Sequence, residues 1–253
     1  MASDFLYQYP PLIQGTLIKR YKRFLADIKL LSGEIITAHC PNTGPMTGVC
    51  ISGSPVYVSK SDNPKRKLAY TWEMIQVNDT TPTWVGINTA LPNKVIKIAL
   101  EKQLFPELTG EYQTVKAEVP YGVNKKSRID FLLTGIISQP SIYVEVKNTT
   151  LAQENLALFP DTVTTRGQKH LQELMAIVPQ SRAVMLYFIN RSDCVNFAPG
   201  DTCDPLYGKL LRKAVAAGVE VLPYRFETTP EGIRYLGLGK FLLRQSTSKV
   251  DQD

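Results

Sequence analysis

The sequence predicts a small all-β barrel followed by a mixed α/β unit, and three observations carry that expectation. Residues from Gly15 to about Val85 alternate short β-type runs with clusters of turn residues. After Pro92 the apolar spacing shifts from the period of a strand to that of a helix, and from there helices and strands alternate. At 253 residues, with 43% hydrophobic and 21% charged positions, the chain has the composition of a folded protein and room for one large domain or two modest ones.

The first unit, residues 1–90, takes its strands from Gly15–Ile18, Phe24–Leu31, Glu34–Ala38, Pro55–Ser59 and Ala69–Gln76. The breakers Ser32-Gly33, Pro41–Gly48, Ser52–Ser54 and Asp62–Pro64 separate them. Five short strands in so little chain fit an oligonucleotide-binding (OB) type barrel, although spacing alone also admits other small barrels. The second unit, residues 91–244, opens with a helix from Asn93 to Leu104 whose Val95, Ile96, Ala99, Leu100 and Leu104 form one stripe. Strands follow at Val115–Val119, Arg128–Leu133 and Ile142–Val146, then a helix at Thr164–Val178. A strand at Ala183–Ile189, a helix at Pro205–Ala217 stopped by Gly218 and a strand at Val219–Phe226 complete it. The tail from Gln245 to Asp253 reads as disordered.

Several function classes are excluded at this level. The longest apolar run, Ala183–Ile189, is far short of the roughly 18–20 residues a membrane-spanning helix needs, so no membrane partner is expected. The N-terminus has no basic segment leading into an apolar stretch, and the expected compartment is the cytoplasm. Cys40, Cys50, Cys194 and Cys203 make no CxxC pair, and the only histidines are His39 and His170, so a metal here would be held by oxygen. The net charge is +6, shared as +3 in residues 1–90 and +3 in residues 91–253, so the basic character is local rather than a tail.

Two basic runs lie in the first unit. Lys19-Arg20-Tyr21-Lys22-Arg23-Phe24 combines four cations with two aromatic rings, and Lys65-Arg66-Lys67 precedes Tyr70 and Trp72. Cations that neutralise phosphates, beside rings that stack on bases, make a nucleic-acid surface. In the second unit, Arg128–Leu133 and Ile142–Lys147 read as a hairpin centred between Ile137 and Ser138. That register sets Asp130 opposite Glu145, with Lys147 on the same face and Ile129, Phe131, Val144 and Val146 on the other. Opposed like charges destabilise a sheet unless something offsets them, and a hard divalent cation, Mg²⁺ or Mn²⁺, does so with one or two carboxylates. Asp130 and Glu145 are thus candidate metal ligands, with Lys147 orienting water or stabilising charge on a phosphodiester. A solvated hairpin whose carboxylates pair with Arg128 and Lys147 would show the same alternation. On the following helix Arg166, Lys169 and His170, with Gln168 beside them, form an edge suited to a nucleic-acid backbone.

Six motifs together resemble the sugar fermentation stimulation protein A family: Leu17–Asp27, His39-Cys40-Pro41-Asn42-Thr43-Gly44, Asn63–Lys67, Ser127–Leu133, Tyr143–Asn148 and Arg166–Leu171. The likeness runs from about Pro11 to Leu238. It implies an OB-like β-barrel followed by a restriction-endonuclease-like mixed α/β domain, DNA binding without marked sequence preference, and a regulatory role in maltose metabolism. The nuclease superfamily's Asp, Glu-x-Lys pattern maps onto Asp130, Glu145 and Lys147, with Mg²⁺ or Mn²⁺ as the implied cofactor. Glu101 and Glu118 are candidates for a further acidic ligand. A metal-dependent nuclease and a DNA-binding regulator without catalysis are the two functions this leaves.

Overall fold

In the computed structural model residues 4–79, 81–122, 127–135, 139–178 and 180–243 are described. A short strand β1 (Tyr7–Gln8) opens the chain. The barrel strands are β2 (Leu12–Tyr21), β3 (Leu25–Leu30), β4 (Ile35–His39), β5 (Pro55–Lys60) and β6 (Tyr70–Val77), and β7 (Thr83–Gly86) extends one edge. The order β4-β3-β2-β5-β6-β7 is antiparallel throughout, and a parallel pairing of β4 with β6 closes the first five strands into a barrel. This 1-2-3-5-4 closed order is the OB arrangement.

Barrel interiors need inward side chains on alternate positions, and β3 supplies them with Ala26, Ile28 and Leu30 while Asp27 and Lys29 face out. Gly15 sits where β2 crosses β3, and a Cβ there would lie 2.6 Å from Ile28 Cγ2 and 2.8 Å from Lys29 O, so no larger residue fits without displacing backbone.

The second unit begins with α1 (Leu91–Glu101), then β8 (Thr114–Tyr121), β9 (Ser127–Thr134), β10 (Ile142–Thr149), β11 (Leu151–Gln153) and β12 (Leu156–Phe159). It continues through α2 (Thr165–Ile177), β13 (Arg182–Ile189), β14 (Asn196–Pro199), α3 (Pro205–Ala216), β15 (Glu220–Thr228), β16 (Gly232–Leu238) and β17 (Lys240–Phe241). Its main sheet runs β1-β16-β15-β13-β10-β9-β8, with β10, β13 and β15 parallel at the centre. Every residue of β13 from Ala183 to Ile189 is buried, as expected of a parallel strand covered on both faces. One face packs on α1 through Val95, Ile96, Ala99 and Leu100; the other packs on α2 and α3 through Leu171, Leu174, Tyr207 and Leu211.

Helix α2 begins at Thr164, whose hydroxyl accepts from Gly167 N at 3.1 Å, and α3 at Asp204, whose carboxylate accepts from Tyr207 N at 2.9 Å ahead of Pro205.

The structure departs from the sequence expectations in particular places. Helix α1 stops at Glu101, and Leu104 is half-exposed rather than part of its stripe. Gln103 takes a φ of 55°, Leu104 N bonds back to Ala99 O and Gln103 N to Leu100 O, a left-handed stop that turns the chain before the fourth turn. The four-stranded sheet β11-β12-β14-β17 was not expected, since strands of two to four residues carry too little alternation to read. Strand β1 joins the second unit's sheet through Tyr7↔Ile233 and Gln8↔Gly232, so the first residues of the chain bridge both units. The expected hairpin centre at Ile137 and Ser138 and the tail Gln245–Asp253 lie outside the described residues.

Candidate functional site

Asp130, Glu145 and Lys147 come from β9 and β10, and the observed ladder pairs Ile142↔Leu133, Tyr143↔Leu132 and Val144↔Phe131. That is the register in which Glu145 lies across from Asp130. The ladder stops one step short of that pair, and the Asp130 carboxylate takes over, with Oδ2 accepting from Val146 N at 2.7 Å. Asn93 on α1 donates to Asp130 Oδ1 at 2.8 Å. Of the four residues expected on the opposite face, Phe131, Val144 and Val146 pack on the α1 side, whereas Ile129 packs on the α2 side. Opposite Asp130 in the β8–β9 register, Glu118 takes a φ of 54°, a local twist at the position where the packing of β9 changes sides.

Glu145 is only 2% exposed. Its Oε1 accepts from Lys147 Nζ at 2.6 Å and meets His170 Nδ1 in a short contact, while Lys147 Nζ lies 3.1 Å from the same nitrogen. Arg166 Nε reaches His170 Nε2 at 3.4 Å, which leaves the ring proton on Nδ1, facing Glu145. Glu145 Oε2 is buried with no hydrogen-bond partner among the described residues.

The electrostatics separate the two acids. Burial pushes the Glu145 carboxyl up, but the bonds from His170 and Lys147 outweigh it and hold the group below its ordinary value. Burial and the nearby Glu145 charge push Asp130 up to about 6, against smaller opposing effects of Val146 N–H, Lys147 and Asn93. The two carboxylates share the ammonium of Lys147, which bonds to Glu145 and leaves Asp130 with uncharged donors.

The donors offered here are carboxylate oxygens, the type a hard cation takes. A buried oxygen without a partner and a carboxylate whose ionisation is resisted are both relieved by a divalent ion, and Mg²⁺-type ions are commonly held by one or two carboxylates with water completing the shell. Among the described residues no group of three or more His, Cys, Asp or Glu side chains is arranged to hold a metal. Glu101 pairs with Lys97 at the far end of α1, about 12 Å along the helix from Asn93; the first helix reaches Asp130 with a carboxamide instead.

The remaining expected residues divide by surroundings. His170, expected on a nucleic-acid edge, is 4% exposed and belongs to the Glu145–Lys147 cluster. Gln168 donates to both oxygens of Asp204 and ties α2 to the start of α3. Arg166 is exposed; Lys169 donates to Ser127 Oγ at 3.0 Å, and Ser127 in turn donates to Glu173 at 2.6 Å. Asn93, Ser127 and Glu173 escape a reading of the sequence, since a lone Asn, Ser or Glu on an element carries no spacing signal.

On the barrel, the two basic runs share one rim. Tyr21↔Leu25, Leu25↔His39, His39↔Thr71 and Thr71↔Ser59 form a continuous row of Cα partners around the closure, so the β2–β3 turn and the β5–β6 loop flank the end of β4. Lys22, Arg23, Lys65, Arg66 and Lys67 are exposed there. Lys19 lies over the Tyr21 ring at 5.4 Å and pairs with Asp27 at 3.7 Å. Arg20 is occupied internally, donating to Asn42 O at 2.9 Å and Gly44 O at 2.8 Å. Trp72, expected among the stacking rings, is fully buried in the barrel, whereas Phe24 is 46% exposed beside the cations.

The architecture defines a class: an OB-type barrel joined to a restriction-endonuclease-like sheet that carries an Asp, Glu-x-Lys cluster. Family models match both parts, the SfsA N-terminal OB domain over residues 18–87 and the sugar fermentation stimulation protein RE domain over residues 90–232. The chain belongs to the sugar fermentation stimulation protein (SfsA) family. It is similar to the sugar fermentation stimulation protein homologs of Trichormus variabilis, 68% identical over 95% of this chain and 99% of that one, and of Rippkaea orientalis, 69% identical over 96% and 100%. It is also similar to the solved structure of Pyrococcus furiosus SfsA in complex with Ca²⁺, with a TM-score of 0.83 and 27% identity over 94% of this chain and 99% of that one.

Proposed function

We propose that the protein binds DNA without marked sequence preference and acts in regulation linked to sugar metabolism, maltose in particular. The observation that carries the DNA-binding part is the single rim on which Lys22, Arg23, Lys65, Arg66 and Lys67 converge beside the exposed Phe24; the link to sugar metabolism is supported by family membership alone. Clustered exposed cations grip phosphates and carry no base readout. Arg166 and Lys169 add a separate basic edge next to the carboxylate cluster. The test is fluorescence anisotropy with two duplexes of equal length and unrelated sequence over a salt series: near-equal affinities falling steeply with salt support it, and salt-independent or absent binding refutes it.

A second reading, a divalent-metal-dependent nuclease, is favoured by the unpartnered Glu145 Oε2 and by the Ca²⁺ named for the Pyrococcus furiosus relative. Asp130 and Glu145 would hold Mg²⁺ or Mn²⁺, which would supply Lewis-acid polarisation of a phosphodiester and neutralise its charge. Lys147 would donate to the substrate's phosphoryl oxygens as charge builds there, and His170 would fix Glu145 while the lysine is so engaged. Cleavage of labelled DNA that needs the metal and is lost in Asp130→Ala supports this reading; intact DNA under Mg²⁺ and Mn²⁺ leaves the binding protein alone.

A further inference from the structure

We propose that the cleft between the two units is a pocket for a single unpaired nucleobase of the bound DNA. The cleft measures about 110 Å³ and is lined by Asn42, Thr89, Asn148, Thr150, Phe159 and Asp161 among others. One water needs roughly 10–15 Å³ on such a measure, so the space takes a small planar ring and not a folded peptide. It exists only because the units dock: Asn42 lies in the loop after β4, Thr89 between the units, and Asn148 and Thr150 at the end of β10.

Two sequence motifs that DNA gripping does not use meet here. His39-Cys40-Pro41-Asn42-Thr43-Gly44 leaves the middle of the basic rim, and Asn148 directly follows Lys147. The loop is held in shape from within. Arg20 clamps the carbonyls of Asn42 and Gly44, Asn42 Oδ1 accepts from Gly44 N at 2.9 Å, and Thr89 Oγ1 donates to Pro41 O at 3.1 Å. Such a site is preorganised, so little ordering cost opposes a ligand.

The hydrogen-bond inventory selects the ligand class. Asn42 and Asn148 each spend their carboxamide oxygen internally, Asn148 Oδ1 accepting from Asn190 Nδ2 at 3.2 Å. Their remaining NH₂ groups call for acceptors. Asp161 already accepts from its own backbone N–H and from those of Met46 and Thr47, which ties it to the loop after β4, and its negative charge disfavours a phosphate in the same space. Phe159, fixed by ring contacts with Tyr187 and Tyr207, and the side chains of Leu151 and Leu158 add an apolar wall. Two acceptors on one flat, uncharged ring describe an edge of guanine, with O6 and N7, or of cytosine, with O2 and N3, and extruded bases are read by this pairing of edge contacts and apolar walls. The pocket lies between the basic rim and the strand that carries Glu145 and Lys147, where a base leaving a gripped strand would arrive.

The inference rests on the DNA-binding reading, and its test separates the two. Anisotropy at fixed salt compares a fully paired duplex with the same duplex bearing one bulged guanine or cytosine, for wild type, Thr89→Phe and Asn148→Ala. Thr89 is exposed at the mouth, so Thr89→Phe plugs the pocket without disturbing a core and gives up only its one bond to Pro41 O, while Arg20 still clamps the loop. Saturation-transfer NMR with uncharged deoxyguanosine and deoxycytidine reads the pocket alone. The expected result is binding of the bulged duplex tighter by about fivefold or more, with this preference and the nucleoside signal lost in both variants and paired-duplex affinity kept. Failure of paired-duplex binding defeats the DNA-binding reading only. Equal affinity for the two duplexes, or a preference that survives Thr89→Phe, overturns the pocket.

Discussion

Replacing Asp130 with Asn should stabilise the protein in the absence of divalent metal. The Asp130 carboxyl stands at about 6 instead of its ordinary 3.8, a rise of ~2 units that corresponds to about 3 kcal/mol. The folded state holds the Asp130 proton more tightly than the unfolded chain does. This group's contribution is therefore full below pH 4, falls as the pH rises toward 6, and leaves wild type weaker above that. The substituted carboxamide cannot ionise, still accepts from Val146 N, and meets Asn93 favourably once that side chain's own amide turns over. The substitution is therefore neutral near pH 4 and stabilising by up to ~3 kcal/mol at pH 8, or about 6–12 °C at 2–4 °C per kcal/mol. Thermal melts of both proteins at pH 4, 6 and 8, in chelator and in millimolar Ca²⁺ or Mn²⁺, measure it. Added metal should raise wild type toward the variant and leave Asp130→Asn unmoved. A variant less stable than wild type at pH 8 in chelator, or equal metal responses, refutes the account of the site.

Lys147→Met removes the ammonium from a Glu145 that is almost wholly enclosed. Urea denaturation at pH 7 should register a loss of ~3–5 kcal/mol, much of it restored in the double variant Glu145→Gln/Lys147→Met, which leaves no orphaned charge. The lowered Glu145 pKa has the opposite sign from that of Asp130: its stabilisation is present at neutral pH and is lost as the pH falls through the folded value, below the ordinary glutamate range. Wild type but not Glu145→Gln should therefore lose stability through this group under strong acid, as read from Cm against pH. Replacing Lys65, Arg66 and Lys67 with Ala should flatten the slope of log affinity against log salt by about 0.9 for each phosphate no longer neutralised, ~2–3 in all, for any duplex sequence. Asp204→Ala removes the α3 cap together with acceptors for Thr164 N and Gln168, and should cost ~2 kcal/mol in denaturant melts.

Much of this architecture was legible because its signals repeat. The alternation along β3 and β4 and the buried run of β13 each span five or more residues, and centring the β9–β10 hairpin between Ile137 and Ser138 gives the observed register, although the single apolar face expected from it divides at Ile129. What stayed hidden was set by contacts remote in sequence. Strand β1 has two residues and exists only through β16, and β11, β12, β14 and β17 are each too short to alternate. Trp72 read as a stacking ring because it follows a basic run, yet its position on β6 turns it into the barrel. His170 shares a helix with exposed Arg166 and with Lys169, and only the packing of α2 on the sheet decides that it faces Glu145.

That placement bears on how the two units cooperate. Without a cation, Asp130 and Glu145 together outnumber the one ammonium of Lys147, so on the proposed DNA-binding reading phosphates near α2 would meet a patch of negative field. Arg166 reaches His170 from outside and Lys169 stands on the same helix, so the cationic edge of α2 and the acidic cluster are neighbours. A divalent cation on the two carboxylates would reverse the local sign and add positive potential beside Arg166 and Lys169. Metal should then tighten DNA binding in wild type beyond the weakening that any divalent salt causes by screening, and should only weaken it in Asp130→Asn. Anisotropy titrations at constant ionic strength separate these effects, and identical metal responses in the two proteins would show that the carboxylates take no part in holding DNA.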